Sequence, residues 1–128
     1  AGRKEGGPVS APGSATAAAV GLCRWVRSHD AHVRAAVGLL IASEVWLARS
    51  EFRITCIERD DDGTCWIDWT DARAAFDTGR FAKASSTEIA LLDLAIALGE
   101  DRYRFSRIDS AQARTVVEAV AAAGGVDR

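Results

Sequence analysis

The sequence has few of the residues that build catalytic and metal sites. Its 128 residues include two histidines, three cysteines and no methionine. An odd number of cysteines without framework spacing excludes a disulfide-dense miniprotein and favours reduced thiols in the cytoplasm. No apolar run approaches the roughly 18 residues that a membrane-spanning helix needs, so no transmembrane segment is predicted. The net charge of −2 supplies no general attraction to nucleic acid or to an anionic membrane.

The motifs of common cofactor and metal sites are also missing. The chain contains no G-x-x-x-x-G-K, G-x-G-x-x-G, G-x-S-x-G or H-E-x-x-H pattern. His29, His32 and Cys23 supply three zinc-type ligands, one fewer than a tetrahedral site requires. The acidic run at 60–63 lacks the glutamate that ends a calcium-binding loop, because Trp69 occupies that position. We therefore predict no cofactor and no metal ion.

What the chain does contain is typical of one soluble globular domain. Apolar residues make up 48% and charged residues 27% of the sequence, close to the average for such proteins. Alanine occurs 25 times, and 14 arginines stand against two lysines, a bias that predicts a high-GC bacterial source. Residues 1–16 hold both prolines and four glycines and are predicted to be a flexible tail or linker. We expect a single compact domain over 17–125 and a frayed C-terminus over 126–128.

Apolar periodicity and turn signals predict a mainly helical α+β domain, in which about five helices pack around one β-hairpin. The hairpin is predicted over residues 53–69, with its turn at Asp60-Asp61-Asp62-Gly63. The helices are predicted over residues 17–28, 31–50, 71–77, 86–98 and 110–123, with a short extended segment over 103–108. The fourth helix is apolar nearly all round and is expected to be the most buried.

Polar residues that accept hydrogen bonds from unpaired backbone N–H groups precede the helices. The predicted N-caps are Ser14 or Thr16, Asp30, Thr70 or Asp68, Ser85 in a capping box with Glu88, and Asp109. In the last helix, Val116, Val117 and Val120 are expected to face the interior.

The register of the hairpin decides which of its side chains are buried, because successive residues of a strand face opposite sides. Pairing Arg59 with Thr64 places one apolar set on the core face: Ile54, Cys56, Cys65, Ile67 and Trp69. The other face is mostly polar, and it leaves Ile57 and Trp66 as a small exposed apolar pair.

The first functional hypothesis is a small, non-enzymatic module that binds a protein partner or a second copy of itself. Aromatic side chains dominate the energetics of protein interfaces. Trp25, Ile57 and Trp66, predicted to be exposed and rimmed by charge, are the candidate contact residues.

An alternative hypothesis is a nucleic-acid-associated regulator. Segment 102–114 carries four arginines and one acidic residue, and basic strips with interleaved aromatic residues bind phosphates and stack on bases. The candidate contacts are Arg102, Arg104, Arg107 and Arg114. The same pattern also describes a solvated face, or a surface that docks on the acidic hairpin.

A third hypothesis is an enzyme without a known signature. Glu44, Asp68 and Asp93 lie in apolar neighbourhoods of the sequence, and buried carboxylates can act as general acids or bases. Arginines that neutralise these acids would give them a structural role instead. We therefore expect no catalytic residue.

Overall fold

Seven α-helices and one two-stranded antiparallel sheet make up the described part of the chain, residues 11–126 of a computed structural model. The helices are α1 (Ala15–Val26), α2 (Ala31–Ser43), α3 (Val45–Ala48), α4 (Ser50–Cys56), α5 (Trp69–Asp77), α6 (Ser86–Gly99) and α7 (Ser110–Ala123). The strands are β1 (Ile57–Arg59) and β2 (Cys65–Ile67), and a 3-10 helix spans Phe105–Arg107. The predicted α+β class is confirmed, with seven helices in place of about five.

Side-chain caps begin four of the helices, because the first backbone N–H groups of a helix have no partner within it. The caps are Ser14 for α1, Asp68 for α5, Ser85 with Glu88 for α6, and Asp109 for α7. These predicted caps are confirmed. Asp30 precedes α2, as predicted, but makes no side-chain hydrogen bond to it.

The ends of the domain differ slightly from the prediction. Helix α1 starts at Ala15, so the last two residues of the predicted tail are helical. The rest of the predicted tail up to residue 10, and residues 127–128 of the predicted frayed end, lie outside the described residues. Val126 follows α7 and is 60% exposed.

The single helix predicted over 31–50 is wrong, because the backbone turns at Glu44. This residue has a left-handed φ of 64°, and its N–H donates to the Leu40 carbonyl at 3.3 Å, which closes α2. The turn brings Trp46 into the interior, where its indole N–H donates to the Glu88 carbonyl at 2.8 Å. Burial of this large side chain offsets the roughly 1–2 kcal/mol that a left-handed residue costs.

Helix α4 replaces the first half of the predicted hairpin strand. Phe52 and Cys56, one helical turn apart, are both buried. The Phe52 ring packs against Trp46 and Phe81 with centroids 5.8 Å from each. Ile54 lies between the two buried positions and is 71% exposed, so its predicted place in the core is wrong.

The hairpin pairs Arg59 with Cys65, one residue away from the predicted Arg59–Thr64 pair. The acidic turn is one residue tighter than predicted. The Asp60 N–H donates to the Thr64 carbonyl at 3.0 Å, so Asp60 faces Thr64 in the same register and residues 61–63 form the connection. Gly63 has a φ of 89°, the positive value predicted for it.

The shift puts Ile57 on the same face as Cys65 and Ile67, where it is 2% exposed. Trp66 lies on the opposite face and is 6% exposed, so the predicted exposure of both residues is wrong. All three residues of β2 are buried, so this strand is covered on both faces. Helix α1 lies against it so closely that a Cβ at Gly21 would stand 2.3 Å from the Cys65 Sγ. Trp69, predicted to be buried, is half-buried.

Helices α2 and α6 pack against each other at the centre of the core. The contact buries Val33, Val37 and Leu40 of α2 together with Leu92, Ala95 and Ile96 of α6. On the outer side of α6, Leu94 stays 40% exposed. None of the helices in the described part of the chain has the length and apolar character needed to cross a membrane.

Replacing Ile57 with alanine tests the register against a matched control at Ile54. Ile57→Ala should lower the free energy of unfolding by about 2–5 kcal/mol, because it leaves a cavity in the core. Ile54→Ala should change the free energy of unfolding by less than about 0.5 kcal/mol, because this side chain is exposed. Urea unfolding of both variants measures the difference. Equal losses, or a larger loss at Ile54, would contradict the observed register.

Two helical glycines give a second matched pair. Gly21→Ala would drive a Cβ into the Gly63 carbonyl at 2.4 Å, and such overpacking should cost about 1–3 kcal/mol. Gly38, inside α2, has nothing within 4 Å of a Cβ, so Gly38→Ala should stabilise the protein by up to about 1 kcal/mol. Thermal unfolding should show shifts of opposite sign, and shifts of the same sign would refute the close packing of α1 on the hairpin.

Candidate functional site

The three residues of the first predicted interaction site do not form an exposed surface. Ile57 and Trp66 are in the interior. Trp25 is half-buried, with its ring stacked on Trp69 at 6.5 Å between centroids and tilted against His29 at 4.8 Å. These three residues therefore do not supply the exposed contact surface predicted for them.

The four arginines of the predicted nucleic-acid site are all exposed: Arg102, Arg104, Arg107 and Arg114. Arg102 pairs with Glu100, with Nε 3.4 Å from a carboxylate oxygen. Tyr103 is 57% exposed and meets Phe105 edge-on at 6.2 Å. The extended segment predicted over 103–108 is wrong, because turns and a 3-10 helix occupy it.

The carboxylates predicted to be buried, Glu44, Asp68 and Asp93, are exposed. Asp68 caps α5, and Asp93 accepts a hydrogen bond from Arg73 at 2.9 Å. The described residues contain no buried polar or charged side chain. An acid–base role for these groups loses its premise, since desolvation is what raises the pKa of a carboxylate into the catalytic range.

The thiols divide into one exposed and two buried groups. Cys23 is exposed, whereas Cys56 and Cys65 are buried, and all three are unpaired. Burial raises the pKa of Cys56 to about 12 and also raises the pKa of Cys65. Both buried thiols are thus protonated at neutral pH and unreactive. Over residues 11–126, no group of three metal-binding side chains comes together.

An apolar groove of about 820 Å³ lies between α7 and the body of the domain. We call it the α7 groove. One wall is α7, and the other is formed by the first turns of α2 and the second half of α6. The apolar residues that line it include Ala31, Ala35, Leu94, Leu98, Phe105, Ala113, Val116, Val117 and Val120.

The few polar groups along the α7 groove already have partners. The His32 Nδ1–H donates to the Leu98 carbonyl at 3.0 Å, which ties α2 to the end of α6. The backbone N–H and the hydroxyl of Ser106 both donate to the Asp101 carboxylate. These bonds lower the pKa of Asp101, the hydroxyl bond most. Asp30 is the remaining polar residue, and His32 Nε2 lies 3.7 Å from its carboxylate.

The connection from α6 to α7 has an unusual backbone. Asp101 and Arg104 have left-handed φ values of 54° and 58°, a conformation that residues other than glycine adopt at a cost. The Asp101–Ser106 bonds close the loop between them. This connection leads from α6 into α7, and the two helices stand on opposite sides of the groove.

Helix α7 itself contains no buried residue. Val117 and Val120 are 65% and 59% exposed, and Val116 is partly buried. The prediction that these three valines face the interior is therefore wrong for the isolated chain. Their apolar stripe faces a groove that no element of residues 11–126 fills. Periodicity signals the stripe, but it does not reveal whether anything covers it.

No protein-family model, no curated protein and no solved structure matches this chain. The structure itself shows a helical α+β body with the amphipathic helix α7 beside it.

Thiol labelling of the folded protein tests the division of the cysteines. A thiol-specific reagent should modify Cys23 within minutes at neutral pH, because this side chain is exposed. Cys56 and Cys65 should react only at the rate of unfolding, since they are buried and protonated. Mass spectrometry of peptides from a time course locates each adduct. Fast modification of Cys56 would contradict its burial on the inner side of α4.

Proposed function

We propose that this domain is a non-enzymatic protein-interaction module and that the α7 groove is its binding surface. The observation that carries the proposal is an open apolar groove, one wall of which is a helix without a single buried residue. Contiguous exposed apolar surface of this kind marks interaction sites in soluble proteins.

The length of α7 supports the need for a covering partner. An isolated helix of 14 residues is marginal in water, because too few hydrogen bonds follow its costly nucleation. Most helices gain their stability by burying one apolar face. Val117 and Val120 remain more than half exposed, so a partner that covers them would stabilise α7 and the complex together.

The chemistry of the groove favours a polypeptide over a small ligand. Sites for small molecules combine apolar walls with a few polar groups aimed at the ligand. Here the groups of His32 and Ser106 are engaged within the protein, and alanine, valine and leucine form most of the remaining lining. An amphipathic helix needs only such an apolar surface, with its side chains spaced at three and four residues.

The setting that we propose is a bacterial cytoplasm. Three unpaired cysteines, one of them exposed, are typical of a reducing compartment. The excess of arginine over lysine and the 25 alanines support a high-GC genome.

Nucleic-acid binding is the second candidate function. The exposure of Tyr103 beside the exposed side chains of Arg104 and Arg107 favours it, since exposed aromatic rings can stack on bases. The local charge supports it less. Residues 100–114 include three acids besides the four arginines, and Arg102 is engaged with Glu100.

A photo-crosslinker at Val117 tests the proposed surface in the full-length chain. Replacing Val117 with p-benzoylphenylalanine places the reactive group in the groove, and the same replacement at Ile54 is the control on a different exposed apolar residue. After irradiation in a lysate of the source cells, we expect a defined polypeptide adduct at 117 and none at 54. Adding Leu94→Lys to the opposite wall should abolish the adduct. Mass spectrometry identifies the crosslinked protein.

Three results would count against the proposal. Adducts that are the same at both positions would indicate nonspecific apolar contact, and the absence of any adduct at 117 would remove the surface. Retention on DNA that falls when Arg104 and Arg107 are changed to alanine, without an adduct at Val117, would favour the second candidate. Circular dichroism of each variant controls for unfolding.

A further inference from the structure

We infer that the occupant of the α7 groove is α7 of a second copy of this chain. The two copies would form a symmetric dimer in which α6 and α7 of each build a four-helix bundle. The inference rests on the proposed function, and it adds the identity of the partner. Its support comes from the area of the groove and from the spacing of the α7 side chains.

The area favours two reciprocal helices over one foreign helix. Helix α7 has 14 residues, so it is about 21 Å long and about 10 Å across. Laying half of this cylinder into the groove removes about 330 Å² from the helix and about as much from the groove. A single foreign helix therefore buries about 650 Å², below the roughly 1,000 Å² that a stable interface needs.

Two-fold symmetry fills both grooves at once. The two α7 helices also contact each other, and the area of this contact must not be counted twice. The total buried area of the dimer is then between about 1,000 and about 1,300 Å². An isologous dimer of this kind also closes on itself, so no apolar stripe is left over to extend the assembly. Dimer formation would also cover the exposed side chain of Leu94 on the α6 wall of the groove.

Five residues of α7 line the groove: Ala113, Val116, Val117, Val120 and Ala121. The first four, which include all three valines, are spaced by three, one and three residues, and this spacing is the same in both directions. In an antiparallel pair, Val116 of one copy meets the partner copy's Val117. The small Ala113 meets the larger Val120, which lets the two surfaces interdigitate.

Other parts of this chain fit the groove less well. Residues 1–10 carry one bulky apolar side chain, Val9, and have no stripe to lay against the valines. Helix α7 of the same copy already forms one wall of the groove, so it is not the element that fills the groove. A second α7 is the element of the described chain with a matching apolar face.

Sedimentation velocity over a dilution series tests the dimer with the intact chain. We expect a monomer–dimer equilibrium. Val117→Lys should raise the dimer dissociation constant by at least about 30-fold, as loss of a central apolar contact does. Ile54→Lys, on the exposed side of α4, should leave the constant unchanged. Both variants should keep the wild-type circular dichroism spectrum.

Disulfide trapping in a Cys23→Ser background tests the antiparallel arrangement. Val117→Cys lies next to the two-fold axis, so the two thiols should link on mild oxidation. Val120→Cys and its symmetry mate are seven residues apart along the axis, about 10 Å, too far for a disulfide. Linkage at 120 but not at 117, or equal linkage at both, would overturn the antiparallel pairing.

The outcomes separate this inference from the proposed function. A chain that stays monomeric while the Val117 crosslinker captures a different protein overturns the dimer and leaves the interaction module intact. A monomer without any polypeptide adduct overturns both. A dimer that Val117→Lys does not weaken uses another surface, and that result also overturns the inference.

Discussion

Helix α6 is the element on which the rest of this structure depends. It is apolar nearly all round, and such a helix must be covered on every side before it is stable in water. Helix α2 packs against it over the centre of the core, and α5 packs on a second side, where Gly99 gives the Trp69 ring close access. Hydrogen bonds attach further elements to it, from Trp46 to the Glu88 carbonyl and from His32 to the Leu98 carbonyl.

The same requirement explains the unusual position of α7. One side of α6 is left with Leu94 and Leu98 against an open groove, and α7 is the element of the described chain that stands opposite. It stands beside this surface without burying a residue of its own. The exposed apolar surfaces of α6 and α7 thus face each other across the open groove. The proposed binding of a protein partner at this groove would complete the cover of α6.

Charge in this protein serves mainly to hold local geometry. The Arg73 guanidinium bridges Asp93 and Glu100 on α6, and the hydrogen bonds to both partners raise the pKa of Arg73 against the opposing effect of desolvation. The Ser85 backbone bond and the Arg49 guanidinium lower the pKa of Glu88 at the other end of that helix. These carboxylates are charged structural partners on the surface. Glu88 takes part in the capping box of α6, and Asp93 and Glu100 form ion pairs with Arg73.

Local features of the sequence determined the helix starts, the acidic turn and the apolar character of α6, because caps and glycine conformations depend on neighbouring residues alone. Tertiary packing decided the rest. Burial of Trp46 broke a helix at Glu44, and the aromatic contacts of Phe52 turned a predicted strand into α4. Cover on both faces of β2 placed Trp66 inside. The stripe of α7 was visible from its spacing, but its exposure followed only from the position of α7 across an open groove. Periodicity records which side of an element is apolar, whereas only the three-dimensional arrangement decides what lies against that side.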